Sequence, residues 1–230
     1  MIVSQILTEL RLLGSQKNVE GMKRYNITAQ KAFGVSAPDI RALAKHNNKD
    51  HNLALSLWRT EYHEARILAA FIADPGKMNL RLLDHWANQI VNWAQCDCCC
   101  AELFQKTAYA FVLPFRWTKS KKEFVRRAGL VMIAELAVHH KQTDDSEFEK
   151  FFPLIYTYST DERNFVRKGV NWALRQIGKR NLRLHKKAIA LSKEIQNIPS
   201  PSAQWIARDA IRELNDPKTI AMIKRRKGVL

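Results

Sequence analysis

Trp93 and Asp97 stand four residues apart in the segment Trp93-Ala94-Gln95-Cys96-Asp97. On a helix that spacing puts an indole and a carboxylate on one face, a turn apart. The chain around them has a formal net charge of +16, from 38 Lys and Arg against 22 Asp and Glu. A surface made for phosphates should exclude an acid, so an acid kept there is aimed at positive charge. Two such charges arrive with a nucleic acid: a base made cationic by damage, and the oxocarbenium ion that forms on a sugar as its glycosidic bond breaks. A fixed carboxylate beside that sugar stabilises the developing charge and can orient water or take its proton. Indole faces next to the sugar add about 0.5–2 kcal/mol each by cation–π attraction.

The 230 residues suffice for one large domain or a short solenoid, and residues 1–230 are read as a single helical-repeat domain. Only 8 Gly and 7 Pro leave little turn material for an all-β fold. The basic excess favours a polyanionic partner through release of phosphate counterions. No run approaches the roughly 18 apolar residues of a membrane span, and the N-terminus Met1-Ile2-Val3-Ser4 lacks the basic start of a signal peptide. A cytoplasmic monomer without membrane contact is expected. Cys96, Cys98, Cys99 and Cys100 are too close in the chain for a disulfide framework. On a helix three of them, Cys96, Cys99 and Cys100, share a face. Small packing residues suit them better than a metal site, which would need a fourth ligand from elsewhere. No metal or organic cofactor is called for, and no lysine can be placed beside Asp97 as a lyase nucleophile.

Apolar spacing is helical nearly throughout. Helices are expected over 2–13, 36–46, 51–59, 61–73, 79–91, 93–112, 120–140, 146–157, 161–178, 182–197, 202–214 and 217–225. Ser36 before Pro38 and Asp39, Asp50 before 51–59, and Ser120 with Glu123 as a capping box mark helix starts. Phe124-Val125-Arg126-Arg127 aligns with Phe165-Val166-Arg167-Lys168 and with Trp205-Ile206-Ala207-Arg208, at steps of 41 and 40 residues. Two helices per period of about 40 residues is the mark of a HEAT-like solenoid. The expected fold is therefore all-α, a right-handed α-α superhelix of HEAT-like repeats with a basic concave face. Arg66, Arg127, Lys168 and Arg208 would form a basic stripe along that face, or alternatively cap and pack against neighbouring repeats. Asp97 falls midway between Arg66 and Arg127, an acid interrupting the stripe.

The chain resembles the AlkD-like DNA alkylation repair enzymes, DNA glycosylases built of HEAT-like repeats. The resemblance rests on Met22-Lys23-Arg24-Tyr25 with Phe33-Gly34-Val35-Ser36-Ala37-Pro38-Asp39-Ile40-Arg41, on Trp93 with Asp97, on Val125-Arg126-Arg127-Ala128, and on Gly169-Val170-Asn171-Trp172-Ala173-Leu174-Arg175. It implies that Asp97 is the catalytic aspartate and that Trp93 and Trp172 are the indoles that cradle the lesion's deoxyribose. It makes Arg127 the arginine on the backbone near the lesion, with Arg126 as the alternative. The implied substrate is double-stranded DNA bearing positively charged N3- or N7-alkylpurines, whose base needs no flipping into a pocket. Such a base is already a good leaving group, so no general acid is required. Arg126, Arg41, Lys45, Arg66, Arg167, Lys168, Lys179 and Arg208 are expected to make sequence-independent backbone contacts. Departures from the family pattern are Ala94, the Cys98-Cys99-Cys100 run, and a longer segment between Arg127 and Trp172 with extra residues near 141–147. These keep open a second reading, a DNA-binding HEAT module without catalysis for damaged, bent or branched DNA.

Overall fold

The computed structural model describes residues 2–47 and 49–226, and these are helical with no strand among them. They form two compact units that meet in sequence between Tyr109 and Ala110.

The first unit holds α1 (Val3–Leu13), α2 (Gln16–Arg24), α3 (Ala37–Asn47), α4 (His51–Arg59), α5 (His63–Ile72), α6 (Leu80–Gln89) and α7 (Trp93–Glu102). Side-chain caps define several starts. Asp50 accepts from the Leu53 amide, Asn79 from that of Leu82 and Asn92 from that of Gln95, each closing one of the free N–H groups of a first turn. α5 packs against α3, α4 and α7, so it lies at the centre of the unit. Its core partners include Trp58 and Trp86, whose rings stack at 3.9 Å.

The second unit holds α8 (Leu113–Trp117), α9 (Glu123–His139), α10 (Asp145–Glu149), α11 (Phe152–Tyr158), α12 (Asn164–Gly178), α13 (Leu182–Gln196), α14 (Pro201–Leu214) and α15 (Pro217–Arg226). Each long helix pairs with a partner (α8 with α9, α11 with α12, α13 with α14), and the long members stack in the row α9, α12, α14. This is the repeat read from the 41- and 40-residue steps. Its slots meet in space: the Phe124 and Phe165 rings lie 5.4 Å apart, and the Arg167 guanidinium sits 5.0 Å over Trp205. Close packing is enforced at Gly129, where a Cβ would come within 2.8 Å of the Thr118 nitrogen at the end of α8.

Four details differ from the sequence expectation. The helix expected over 93–112 ends at Glu102 and is followed by a 3-10 turn, Phe104–Lys106. There the Gln105 amide donates to the Ala101 carbonyl and the Thr107 hydroxyl to that of Phe104, taking up free carbonyls. The helix expected over 146–157 is two, α10 and α11, because Pro153 near the start of α11 lacks the amide needed to continue. The Ser120 capping box does not form: α9 starts at Glu123, and Ser120 Oγ accepts from Lys122 instead. Finally, α2 was not expected from the sequence: it is short and mostly polar, and none of its residues is fully buried. It is held by tertiary bonds, from the Ser15 amide to the Phe33 carbonyl and from the Asn18 side chain to the Gly34 carbonyl.

Candidate nucleic-acid interface and the Trp93–Asp97 pair

In the first unit Asn92 sets the start of α7. Its side chain caps the helix, donates to the Thr28 carbonyl at 2.8 Å and lies 3.3 Å from His63 Nδ1. Trp93 is therefore the first residue of α7 and Asp97 the fifth, both half-buried and one turn apart. The Trp93 indole N–H donates to the Tyr25 carbonyl at 2.8 Å, which fixes the ring against the end of α2. Tyr25 itself is 69% exposed. Asn92 was not singled out in the sequence, and Tyr25 entered only within the Met22–Tyr25 segment of the resemblance, with no role of its own. Asn is a favoured cap before an apolar run, so Asn92 could have been found, whereas nothing local marks Tyr25.

Two polar groups lie buried at the start of α5, the helix that packs against α7. His63 is pushed below its ordinary pKa by burial, which outweighs the attraction of Glu64. Its Nδ1 faces the side-chain amides of Asn92 and Gln95, so it acts as acceptor and the ring is neutral. Glu64, fully buried, accepts from the amides of Phe33 (3.0 Å), Gly34 (2.7 Å) and Val35 (3.4 Å). Gly34 has φ of +78°, and a Cβ there would come within 2.2 Å of the Ser15 carbonyl oxygen. The glycine of the Gly34–Arg41 motif thus serves this backbone turn.

The four cysteines are reduced and lie on α7, with Cys96, Cys99 and Cys100 fully buried. Burial, with Glu102 nearby, pushes the Cys98 thiol up to about 12, and burial likewise raises Cys99 and Cys100. They pack the helix and are poor nucleophiles. No group of three His, Cys, Asp or Glu side chains arranged to hold a metal occurs among the described residues.

The expected basic stripe divides into exposed and engaged cations. Arg66 is 5% exposed and donates from Nε to the Trp58 carbonyl and from Nη1 to the Gln89 carbonyl, with its guanidinium 5.1 Å over Trp58. Arg127 is 6% exposed and donates to the Phe165 carbonyl at 2.7 Å. Arg126 donates to the Thr118 carbonyl and to Asp161 and lies over Tyr158. Arg66 and Arg126 each reach back eight residues, to a carbonyl near the end of the preceding helix. They are matched helix-terminus ties, the fourth residues of α5 and α9. Arg127 and Lys168 are each the fifth residue of their helices, whereas Arg66 is the fourth of α5. For Arg66 the capping alternative is the one the structure bears out, because carbonyls from α4 and α6 hold its side chain inside the unit. Arg167 is half-buried over Trp205, and Lys179 is ion-paired to Glu213 at 2.6 Å. Arg41 and Lys45 in the first unit, and Lys168 and Arg208 in the second, are exposed. Trp172 is half-buried on α12, between Asn171, which donates to Asp209, and Ala173 in the core. Of the C-terminal basic run, Lys224 and Arg225 are exposed; the Arg226 side chain and Lys227 lie outside the described residues.

No helix among the described residues is long and apolar enough to cross a membrane. A family profile described as DNA alkylation repair enzyme matches residues 6–214. No curated protein matches the sequence. One solved structure, presented as a new family related to the HEAT-like repeat DNA glycosylases with affinity for branched DNA, is 19% identical with a TM-score of 0.76. The alignment covers 93% of this chain and 95% of that one. A designed armadillo repeat protein aligns at 15% identity and a TM-score of 0.43, over 87% of this chain and 95% of its own. The first of these likenesses establishes the HEAT-like fold.

Proposed function

The chain belongs to the DNA alkylation repair enzyme family, and from that premise we propose that it is a monofunctional DNA glycosylase. It hydrolyses the N-glycosidic bond of cationic N3- and N7-alkylated purines in duplex DNA. The observation that carries this reading is the Trp93–Asp97 pair. A half-buried carboxylate stands one turn beyond an indole whose N–H is already spent on the Tyr25 carbonyl. The ring is thereby oriented without a partner from substrate, and its face remains for the sugar.

In this mechanism the alkylated base leaves with its electron pair, neutralised by departure, and positive charge builds on C1′ and the ring oxygen. Asp97 stabilises that charge and orients the water that adds to C1′, taking its proton. Trp93 contributes cation–π attraction, and the family resemblance gives Trp172 the same role. Arg41, Lys45, Lys168 and Arg208 hold backbone phosphates, in keeping with their exposure. The family resemblance gives Arg127, which donates to the Phe165 carbonyl, the backbone contact near the lesion. Thiols outside any disulfide fit a reducing compartment, and we propose that the enzyme is a cytoplasmic monomer.

The test is release of 7-methylguanine and 3-methyladenine from methylated duplex DNA, wild type against Asp97→Asn. Removing one preorganised electrostatic group lowers turnover by about 10²–10³-fold, while DNA affinity should hold or rise slightly as a negative charge is lost. Undiminished excision by Asp97→Asn would refute the role of Asp97. A second reading is favoured by the structural likeness to a protein with affinity for branched DNA. Under it the chain binds branched DNA and releases no base, and a folded, DNA-binding wild type without excision would establish that reading.

A further inference from the structure

The first unit contains a crevice of about 540 Å³ that none of the roles above uses. Its lining includes Thr28, Lys31, Glu61, Arg66, Gln89 and Gln95. Two of these, Arg66 at 5% and Gln95 at 1% exposure, are charged or polar side chains inside the unit. Arg66 has five N–H hydrogens, and two bonds are made, from Nε to Trp58 and from Nη1 to Gln89. Nη2 has no partner among the described residues. The Trp58 ring beneath and the two carbonyls beside it immobilise the guanidinium, leaving a preset donor edge on the crevice.

Glu61 brings the opposite chemistry. It lies in the turn between α4 and α5 at φ +66°, in the left-handed region where glycine is the inexpensive choice. Its amide reaches the Trp58 carbonyl at 3.4 Å, closing α4, a task glycine does as well or better. The side chain retained at this strained position lines the crevice, within electrostatic reach of Arg66, and Lys31 steadies one carboxylate oxygen at 3.0 Å. A strained residue whose side chain faces a crevice points to use of that side chain.

We infer that this crevice binds an unmodified guanine base. Guanine presents the acceptors O6 and N7 next to the donors N1–H and N2–H₂. The Arg66 edge takes the acceptors and the Glu61 carboxylate the donors. Adenine would put its amino group against the guanidinium. Methylation at N7 would remove an acceptor and add a positive charge beside Arg66, so the crevice rejects the alkylated base and is separate from excision at Asp97. The inference that DNA supplies this guanine, as an unstacked nucleotide, rests on the DNA reading above; the base site itself does not.

Isothermal titration with GMP, AMP and 7-methyl-GMP, beside binding of duplexes carrying one extrahelical dG or dA, tests it. GMP should bind at least about tenfold tighter than either other nucleotide, as one well-formed bidentate pair discriminates. The dG duplex should bind tighter than the dA duplex. Glu61→Gly should abolish both preferences with Tm unchanged or higher, whereas a merely structural Glu61 would lose nothing on that change. Asp97→Asn should keep both preferences, which separates this site from the excision reading. Equal GMP and AMP affinities, or a preference that survives Glu61→Gly, would overturn the assignment. A GMP preference with equal dG and dA duplexes would keep the site and overturn DNA as its source.

Discussion

Glu64→Gln is the sharpest test of how the first unit is held together. The carboxylate is fully buried in the first turn of α5 and takes the amides of Phe33, Gly34 and Val35, the last two on Oε1 and the first on Oε2. Glutamine has nearly the same shape but only one acceptor end. With its oxygen toward Gly34 and Val35, its NH₂ faces the Phe33 N–H; the reverse rotamer strands two amides. The best case leaves one buried amide without a partner, about 1–3 kcal/mol, and weakens the remaining bonds by removing their charge, about 1 kcal/mol more. The sum, on the order of 2–4 kcal/mol, is a large part of a typical domain stability of about 5–15 kcal/mol. Urea unfolding should show a lower midpoint at unchanged slope, and hydrogen exchange should accelerate selectively at residues 33–35. Stability within about 0.5 kcal/mol of wild type, an ordinary surface-substitution effect, with unchanged exchange at those amides would refute the claim that Glu64 organises this turn.

Other consequences follow from the same bonds. Asp161, 8% exposed, joins Arg126 and Arg163 across the turns that precede α9 and α12; Asp161→Ala should destabilise by about 3 kcal/mol, as for a mostly buried pair that loses one partner, and a chemical-denaturation change below about 1 kcal/mol would show the network to be solvent-screened. Burial depresses the pKa of His63, and burial followed by Lys77 that of His51, so both favour the neutral form when folded. Their stability is present above the unfolded value near 6.5 and is lost as pH falls below it; a melting temperature that is flat between pH 7 and pH 5 would contradict this. At lower pH Asp161 and Glu213 add to the loss. Burial alone would raise each carboxyl, but bonds from Arg163 and Arg126 in one case and Lys179 and Arg175 in the other hold it below its usual range. The cysteine thiols should react slowly with a disulfide reagent at pH 8 in native protein and quickly in urea, given the Cys98 value of about 12 and the burial of the other three; rapid native reaction would show α7 to be open.

Properties set by neighbours in the chain were legible in the sequence. Helical period, the caps at Ser36 and Asp50, the 41- and 40-residue steps and the shared face of Trp93 and Asp97 all follow from spacing along one helix or from repetition of one helix pair. The limits of that legibility were also local in kind: the turn at 103–112 and the proline split at Pro153 interrupt apolar runs that periodicity alone joins. Which cations meet water was decided only by tertiary structure. Arg66 and Lys168 look alike in the chain, yet one is enclosed by carbonyls from α4 and α6 while the other is exposed. The same holds for Glu64, Tyr25 and the Glu61–Arg66 crevice, whose partners lie up to tens of residues away. Charge and period are written in each residue and its near neighbours, whereas burial and hydrogen-bond occupancy belong to pairs of surfaces that exist only once the helices have packed.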